Sequence, residues 1–173
     1  MDRPQPPEVI LLFGHPGCGK TRYVTDLVPS PDLYIHTPGD KWFDGYESQS
    51  TMLLDDFAGA SSGFRLDFTL RLLDRYPFKL PVRRTYRWLV ATRIYLTTNI
   101  HPYQWFTWGS RSIQYAALAR RMTKVMCFNG NTPYVADKAL FFSCPDGPIP
   151  GTIFQRPQLQ RQDAMVIVVE DDE

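Results

Sequence analysis

Little in this chain is extreme. Its 19 Lys and Arg oppose 18 Asp and Glu, which leaves a formal charge of +1. No global field advertises a polyanionic partner, so any nucleic-acid contact has to come from a local basic patch. There are 3 cysteines, at 18, 127 and 144, without metal-ligand spacing. That scarcity points away from a disulfide framework and fits a reduced, intracellular, soluble protein. No apolar run approaches membrane-spanning length, and the opening MDRP lacks the pattern of a secretory signal. No internal repeat is present. At 173 residues the chain can bury one domain with a tail. The proline-rich residues 1–7 predict a linker remnant, as if one domain of a longer protein began here.

What the chain does contain is GHPGCGKT at 14–21, with 3 glycines in 8 residues. An apolar run, residues 9–13, precedes it, and a helical pattern over 22–28 follows until Pro29 and Pro31. The motif therefore sits between a buried strand and a helix, and it fits G-x-x-x-x-G-K-[ST]. There the backbone N–H groups of Gly14, His15, Pro16, Gly17, Cys18, Gly19, Lys20 and Thr21, proline excepted, can cradle phosphates. Lys20 would reach the outer phosphates of ATP, and the Thr21 hydroxyl would ligate Mg²⁺. Cys18 fills a small space, although a thiol at a helix N-terminus can be reactive.

Further strands are predicted at 32–36, 51–54, 93–98 and 125–128. Helices are predicted at 65–76, ended by Pro77, at 102–105, and at 110–122 with Ser110 as cap. Residues 78–90 alternate apolar and basic residues around Arg83-Arg84 and predict a hairpin. From Asn129 onward Pro and Gly are frequent and periodicity fades, so residues 131–173 are expected to be an extension with a disordered acidic end. Strands alternating with helices predict an α/β fold with a mostly parallel sheet. Chemistry then collects at the carboxyl ends of strands.

Three polar groups fall at such ends. Besides Lys20 and Thr21 there is Asp55-Asp56, which has the form of a Walker B element. Asp55 is assigned to the metal and Asp56 to the attacking water, an order the pair alone leaves open. Asn99 can sense the γ-phosphate, although strand-Thr-Asn by itself is a turn signal. Arg120-Arg121 closes a predicted helix and suits either a trans-acting arginine finger or the helix dipole. Lys79, Arg83, Arg84, Tyr86 and Arg87, with Trp88, make the one basic-aromatic cluster. It suits single-stranded nucleic acid, or a sheet edge guarded by cations.

Taken in order, GHPGCGKT, KWFDGY at 41–46, LDDF at 54–57, LDRYP at 73–77, LTTN at 96–99 and ALARR at 117–121 resemble the superfamily 3 helicase domain of replication-associated proteins (Rep) from circovirus-like single-stranded DNA viruses. The resemblance covers roughly residues 9–128. It implies a P-loop, AAA+-like core over residues 8–130, and ATP and Mg²⁺ as cofactors. It also implies ATP-dependent unwinding of DNA in rolling-circle replication, a homo-oligomer in the form of a hexameric ring, and action in the host nucleus. RNA stays open as a substrate, because backbone-tracking sites discriminate poorly. No membrane partner is expected. Arg83-Arg84-Thr85 departs from the family's lysine and glycine pair at the hairpin tip. The nickase domain of full-length relatives needs a metal-binding His pair. His15, His36 and His101 are too scattered to supply it, so nicking is not carried over. Two other classes compete: a P-loop small-molecule kinase, and a non-catalytic nucleotide-binding oligomerisation module.

Overall fold

The apolar run before the glycine loop becomes an inner strand of a parallel sheet. The computed structural model describes residues 5–130, 132–143 and 153–155. β1 (Glu8–Gly14) leads through the loop to α1 (Lys20–Leu27). β2 (Leu33–His36), β3 (Thr51–Leu54) and α2 (Leu66–Leu72) follow. A hairpin of β4 (Lys79–Val82) and β5 (Thr85–Trp88) precedes β6 (Arg93–Thr98). Then come α3 (Ser112–Arg121), β7 (Lys124–Phe128), β8 (Tyr134–Val135) and α4 (Lys138–Phe142).

The main sheet has the order β2-β3-β6-β1-β7-β8, parallel throughout except for the β7–β8 pair. Its inner strands are buried on both faces, which is why they read as continuous apolar runs. Val9, Leu11 and Phe13 face a large core shared with Leu72, Leu80, Leu118 and Phe141 of α2, the hairpin, α3 and α4. Ile10 and Leu12 face a smaller one, closed by Val24 and Val28 at α1. The result is the expected α/β architecture, a mostly parallel sheet between helices. Among the described residues no helix is long and apolar enough to cross a membrane.

Two helices differ from their sequence patterns. α2 stops at Leu72, short of the predicted residue 76. Asp74 diverts the chain: its N–H turns back to the Arg71 carbonyl at 3.2 Å, and its carboxylate accepts the Arg75 N–H at 2.8 Å. α3 begins at Ser112, and Ser110 is not its cap. Gly109, at φ 49°, and the Arg111 N–H to Trp108 carbonyl bond of 2.6 Å hold those residues in a turn. Pro102–Gln104 is a single 3₁₀ turn, capped by the His101 ring.

The part beyond Gly130 is not all peripheral. Phe141 and Phe154 are 0% and 3% exposed, and their rings lie 5.3 and 6.3 Å from that of Phe13. His101 joins them, 4.5 Å from Phe141. We propose that the domain reaches at least Phe154. The acidic end lies outside the described residues.

His101 donates from Nε2 to the Phe141 carbonyl at 2.7 Å and accepts the Tyr103 N–H on Nδ1 at 3.1 Å. That pattern suits one neutral tautomer. His36 is 1% exposed and stacks 4.2 Å from Phe43. Its Nε2 is the one buried side-chain polar atom among the described residues without a partner. Burial lowers both histidines below their ordinary 6.5. The unfolded chain then binds protons that the folded one resists, so stability is complete above pH 6.5 and falls as the pH drops below it. The thermal midpoint is expected to fall between about pH 7 and pH 5, and His36→Phe to flatten that slope. Phe141→Ala is expected to cost about 3–5 kcal/mol in urea unfolding; a loss below about 1 kcal/mol would make the C-terminal elements peripheral after all.

Candidate nucleotide and nucleic-acid sites

Parallel strands deliver their carboxyl ends to one edge. Phe13 pairs with Thr98, and Leu54 with Leu96. Gly14, Asp55 and Asn99 therefore emerge side by side. A Cβ on Gly14 would lie 2.3 Å from the Phe128 carbonyl oxygen, so no side chain fits there. Gly17 and Gly19 take φ of 78° and 87°, in the left-handed region. His15 and Pro16 face solvent, while the half-buried Cys18 thiol donates to the His15 carbonyl and closes the loop on itself. Gly19 flanks α1 without a side-chain cap, which leaves first-turn N–H groups for an anion.

Lys20 is 6% exposed. Its ammonium has three donors. They go to the carbonyls of Gly14 at 2.9 Å and His15 at 2.8 Å, and to Asn99 Oδ1 at 2.9 Å. Burial lowers its pKa, against the opposing influence of Cys18, Asp56 and Asp55. Because an ammonium only donates, this contact sets Asn99 with its oxygen toward Lys20 and its amide N–H groups facing away.

The β3–β6 register also organises the acid pair. The buried Thr97 hydroxyl donates to Asp55 Oδ1 at 2.8 Å and accepts the Asp56 N–H at 2.9 Å. The Thr21 hydroxyl donates to the same Asp55 oxygen at 2.7 Å. Asp56 is exposed and held at φ 48°. Thr21 and Asp55 thus form an oxygen-only corner beside the glycine cradle, a donor set that suits a hard cation such as Mg²⁺. Among the described residues no three His, Cys, Asp or Glu side chains cluster as a cage. A cation held mainly by substrate phosphates needs none.

The two arginines at the end of α3 separate. Arg121 donates to the carbonyls of Leu70 and Ala117, both at 3.0 Å, and pairs with Asp74 at 2.8 Å. It ties α3 to the end of α2. Arg120 is exposed, and no described residue pairs with it.

In the hairpin Val82 pairs with Thr85, so Arg83-Arg84 is a two-residue turn. Cross-strand partners share a face. Lys79 pairs with Trp88 and Pro81 with Tyr86, while Leu80 pairs with Arg87. The Lys79 ammonium lies 4.3 Å from the Tyr86 ring centre and 5.3 Å from that of Trp88. Lys79, Tyr86 and Trp88 form one cation-aromatic patch, and Arg87 lies on the opposite face. A cavity of about 490 Å³, lined in part by Arg71, Tyr76, Phe78 and Trp88, opens beside the root of β4.

Residues 10–100 match the family model described as RNA helicase. The chain belongs to this family, as a superfamily 3 helicase domain. It is 35% identical to the replication-associated protein of Pigeon circovirus over 122 residues, 70% of this chain and 36% of that protein. Against the replication-associated protein of Beak and feather disease virus the identity is 34% over 122 residues, with coverages of 70% and 39%. Against that of Goose circovirus it is 31% over 150 residues, with coverages of 87% and 43%. The helicase domain spans less than half the length of these relatives. The Goose circovirus match covers too much of a 173-residue chain to stop at Gly130, so similarity continues into the region of β8 and α4.

Sequence reasoning placed the edge residues of the helicase domain but missed what holds them. Thr97 read as an ordinary strand former. Trp105 entered only as the end of the predicted helix 102–105, yet it is 1% exposed, donates from its indole to the Thr98 hydroxyl at 3.2 Å, and packs 4.6 Å from Phe57. It locks the loop after β3 to the loop after β6. The signal available was a pair of threonines in an otherwise apolar strand. Thr97→Val leaves the Asp56 N–H without its acceptor and Asp55 with one donor fewer. It is expected to weaken Mg²⁺-dependent nucleotide binding about tenfold, as other supports of metal ligands do, with little change in metal-free binding. Titration calorimetry with and without Mg²⁺ decides; equal affinity to the parent would strip Thr97 of this role.

Proposed function

We propose that this helicase domain hydrolyses ATP to travel along single-stranded DNA during rolling-circle replication of a circular viral genome. The observation that carries the reading is the single sheet edge where Lys20, Thr21, Asp55, Asp56 and Asn99 meet, joined in the same chain to a cation-aromatic hairpin.

The glycine loop N–H groups and Lys20 receive the phosphates. Lys20 exchanges backbone and Asn99 acceptors for phosphate oxygens. Thr21 and Asp55 hold Mg²⁺, which when bound neutralises charge on the outer phosphates. The exposed Asp56 orients the attacking water and accepts its proton. The outward amide of Asn99 donates to the γ-phosphate region. Arg120, which pairs with no described residue, serves as the finger that completes a neighbouring copy's site, while Arg121 is committed to Asp74. This division calls for a ring, and a hexamer in the host nucleus follows the family resemblance. A kinase reading is less favoured, because residues 102–108 supply aromatic packing in place of an arginine-rich lid.

The test is an ATPase assay on the purified chain alone, with single-stranded DNA, with single-stranded RNA, and with nucleoside monophosphates as acceptors. DNA is expected to stimulate hydrolysis, and no phosphate should reach a monophosphate. Stimulation by RNA alone would redirect the substrate, and phosphorylated monophosphate would make the chain a kinase. Lys20→Ala and Arg120→Ala are each expected to lose about 10²–10³ in rate. Mixing the two should restore activity, since some interfaces then pair an intact Lys20 with an intact Arg120. Loss with Arg121→Lys but not with Arg120→Ala would transfer the finger.

A further inference from the structure

The KWFDGY segment, residues 41–46, straps the hairpin to the sheet. The Phe43 N–H donates to the Pro81 carbonyl at 2.8 Å, and the Val90 N–H donates to the Tyr46 hydroxyl at 3.2 Å. Between these two anchors stands Asp44. Its carbonyl accepts from the Tyr34 hydroxyl of β2 at 2.9 Å. Its Oδ1 accepts the Arg83 N–H at 2.9 Å, and its Oδ2 lies 3.5 Å from Arg83 Nε. Asp44 is therefore held by the sheet and in turn holds the hairpin turn.

That turn needs holding. Arg84 has φ 73°, a conformation that turns usually give to Gly or Asn. A side chain kept there against its preference marks a position over-determined by its surroundings. Arg83 is engaged with Asp44 through backbone and guanidinium, while Arg84 is exposed and pairs with no described residue. The two arginines, adjacent in sequence, are thus unequal: one is an anchor and the other is presented.

We propose that Asp44 is a positioning residue, which pins the turn through Arg83 so that Arg84 points outward as the hairpin's phosphate-contacting cation. This rests on the reading that the hairpin binds single-stranded DNA. It makes a prediction opposite to that of simple charge. Removing an acidic side chain beside a DNA-binding surface should tighten binding through electrostatics alone. Removing Asp44 releases the turn and should weaken it.

The experiment measures binding of a fluorescent oligothymidylate across salt concentrations by the full chain, with basal ATPase and thermal midpoint followed alongside. Arg84→Ala is expected to flatten the salt slope by about 0.7, or about fivefold in affinity near 0.1 M salt. Asp44→Ala should match it, and the double variant should be no weaker than either, because both remove the same contact. Asp44→Asn keeps an acceptor for the Arg83 N–H and should bind at least as tightly as the parent. Asp44→Glu keeps the charge but carries the carboxylate one carbon past the Arg83 N–H and should weaken binding as Asp44→Ala does, which keeps the inference testable if that variant fails to fold. If Asp44→Ala binds as tightly as the parent while Arg84→Ala is weakened, the positioning role is overturned and the hairpin reading stands. If Arg84→Ala and Lys79→Ala both leave affinity and slope unchanged, the hairpin reading falls and the positioning role falls with it.

Discussion

A cation with almost no water around it must be matched bond for bond. Lys20 is in that position, and its three acceptors come from the end of β1, the glycine loop and the residue after β6. The loop's shape, the approach of Asn99 and the β1–β6 register all answer to this one ammonium. An incoming phosphate competes for the same three donors. Lys20 therefore serves a phosphate by releasing at least one of these acceptors, the Gly14 carbonyl, the His15 carbonyl or the Asn99 amide oxygen.

The acid pair depends on the same register at one remove. Thr97 is buried one strand away from β1 and spends its single hydroxyl twice, as donor to Asp55 and as acceptor for the Asp56 N–H. Beneath it Phe57, Trp105 and Gly59 pack closely and join the loops after β3 and β6; a Cβ on Gly59 would sit 2.4 Å from the Trp105 carbonyl oxygen. Behind β1 the rings of Phe141, His101 and Phe154 back the strand that feeds the loop. Polar chemistry at the edge rests on aromatic packing below it.

How much of this was legible in the residues follows from how each part is stabilised. Strands buried on both faces announce themselves as apolar runs, so β1, β3, β6 and β7 were found within a residue or two. That Lys20 and Thr21 meet Asp55 at one sheet edge was legible because the glycine loop directly follows one apolar strand and the acid pair directly follows another. The end of α2 and the start of α3 were not, because Asp74 and Gly109 set them through contacts that no periodicity encodes. Arg87 was grouped with Lys79 by proximity in sequence, whereas strand pairing has a period of two and puts them on opposite faces. Past Gly130 the density of Pro and Gly hid Phe141 and Phe154, whose burial depends on partners near the other end of the chain.

The tryptophans divide by place. Trp105 and Trp108 are 1% and 5% exposed beside the nucleotide edge, while Trp42 and Trp88 are half-buried in the strap and the hairpin. Indole emission shifts to the red as water reaches the ring. The blue part of this protein's fluorescence therefore reports on the loops around Asn99, and the red part on the hairpin side. One cuvette can follow both ends of the domain without a label.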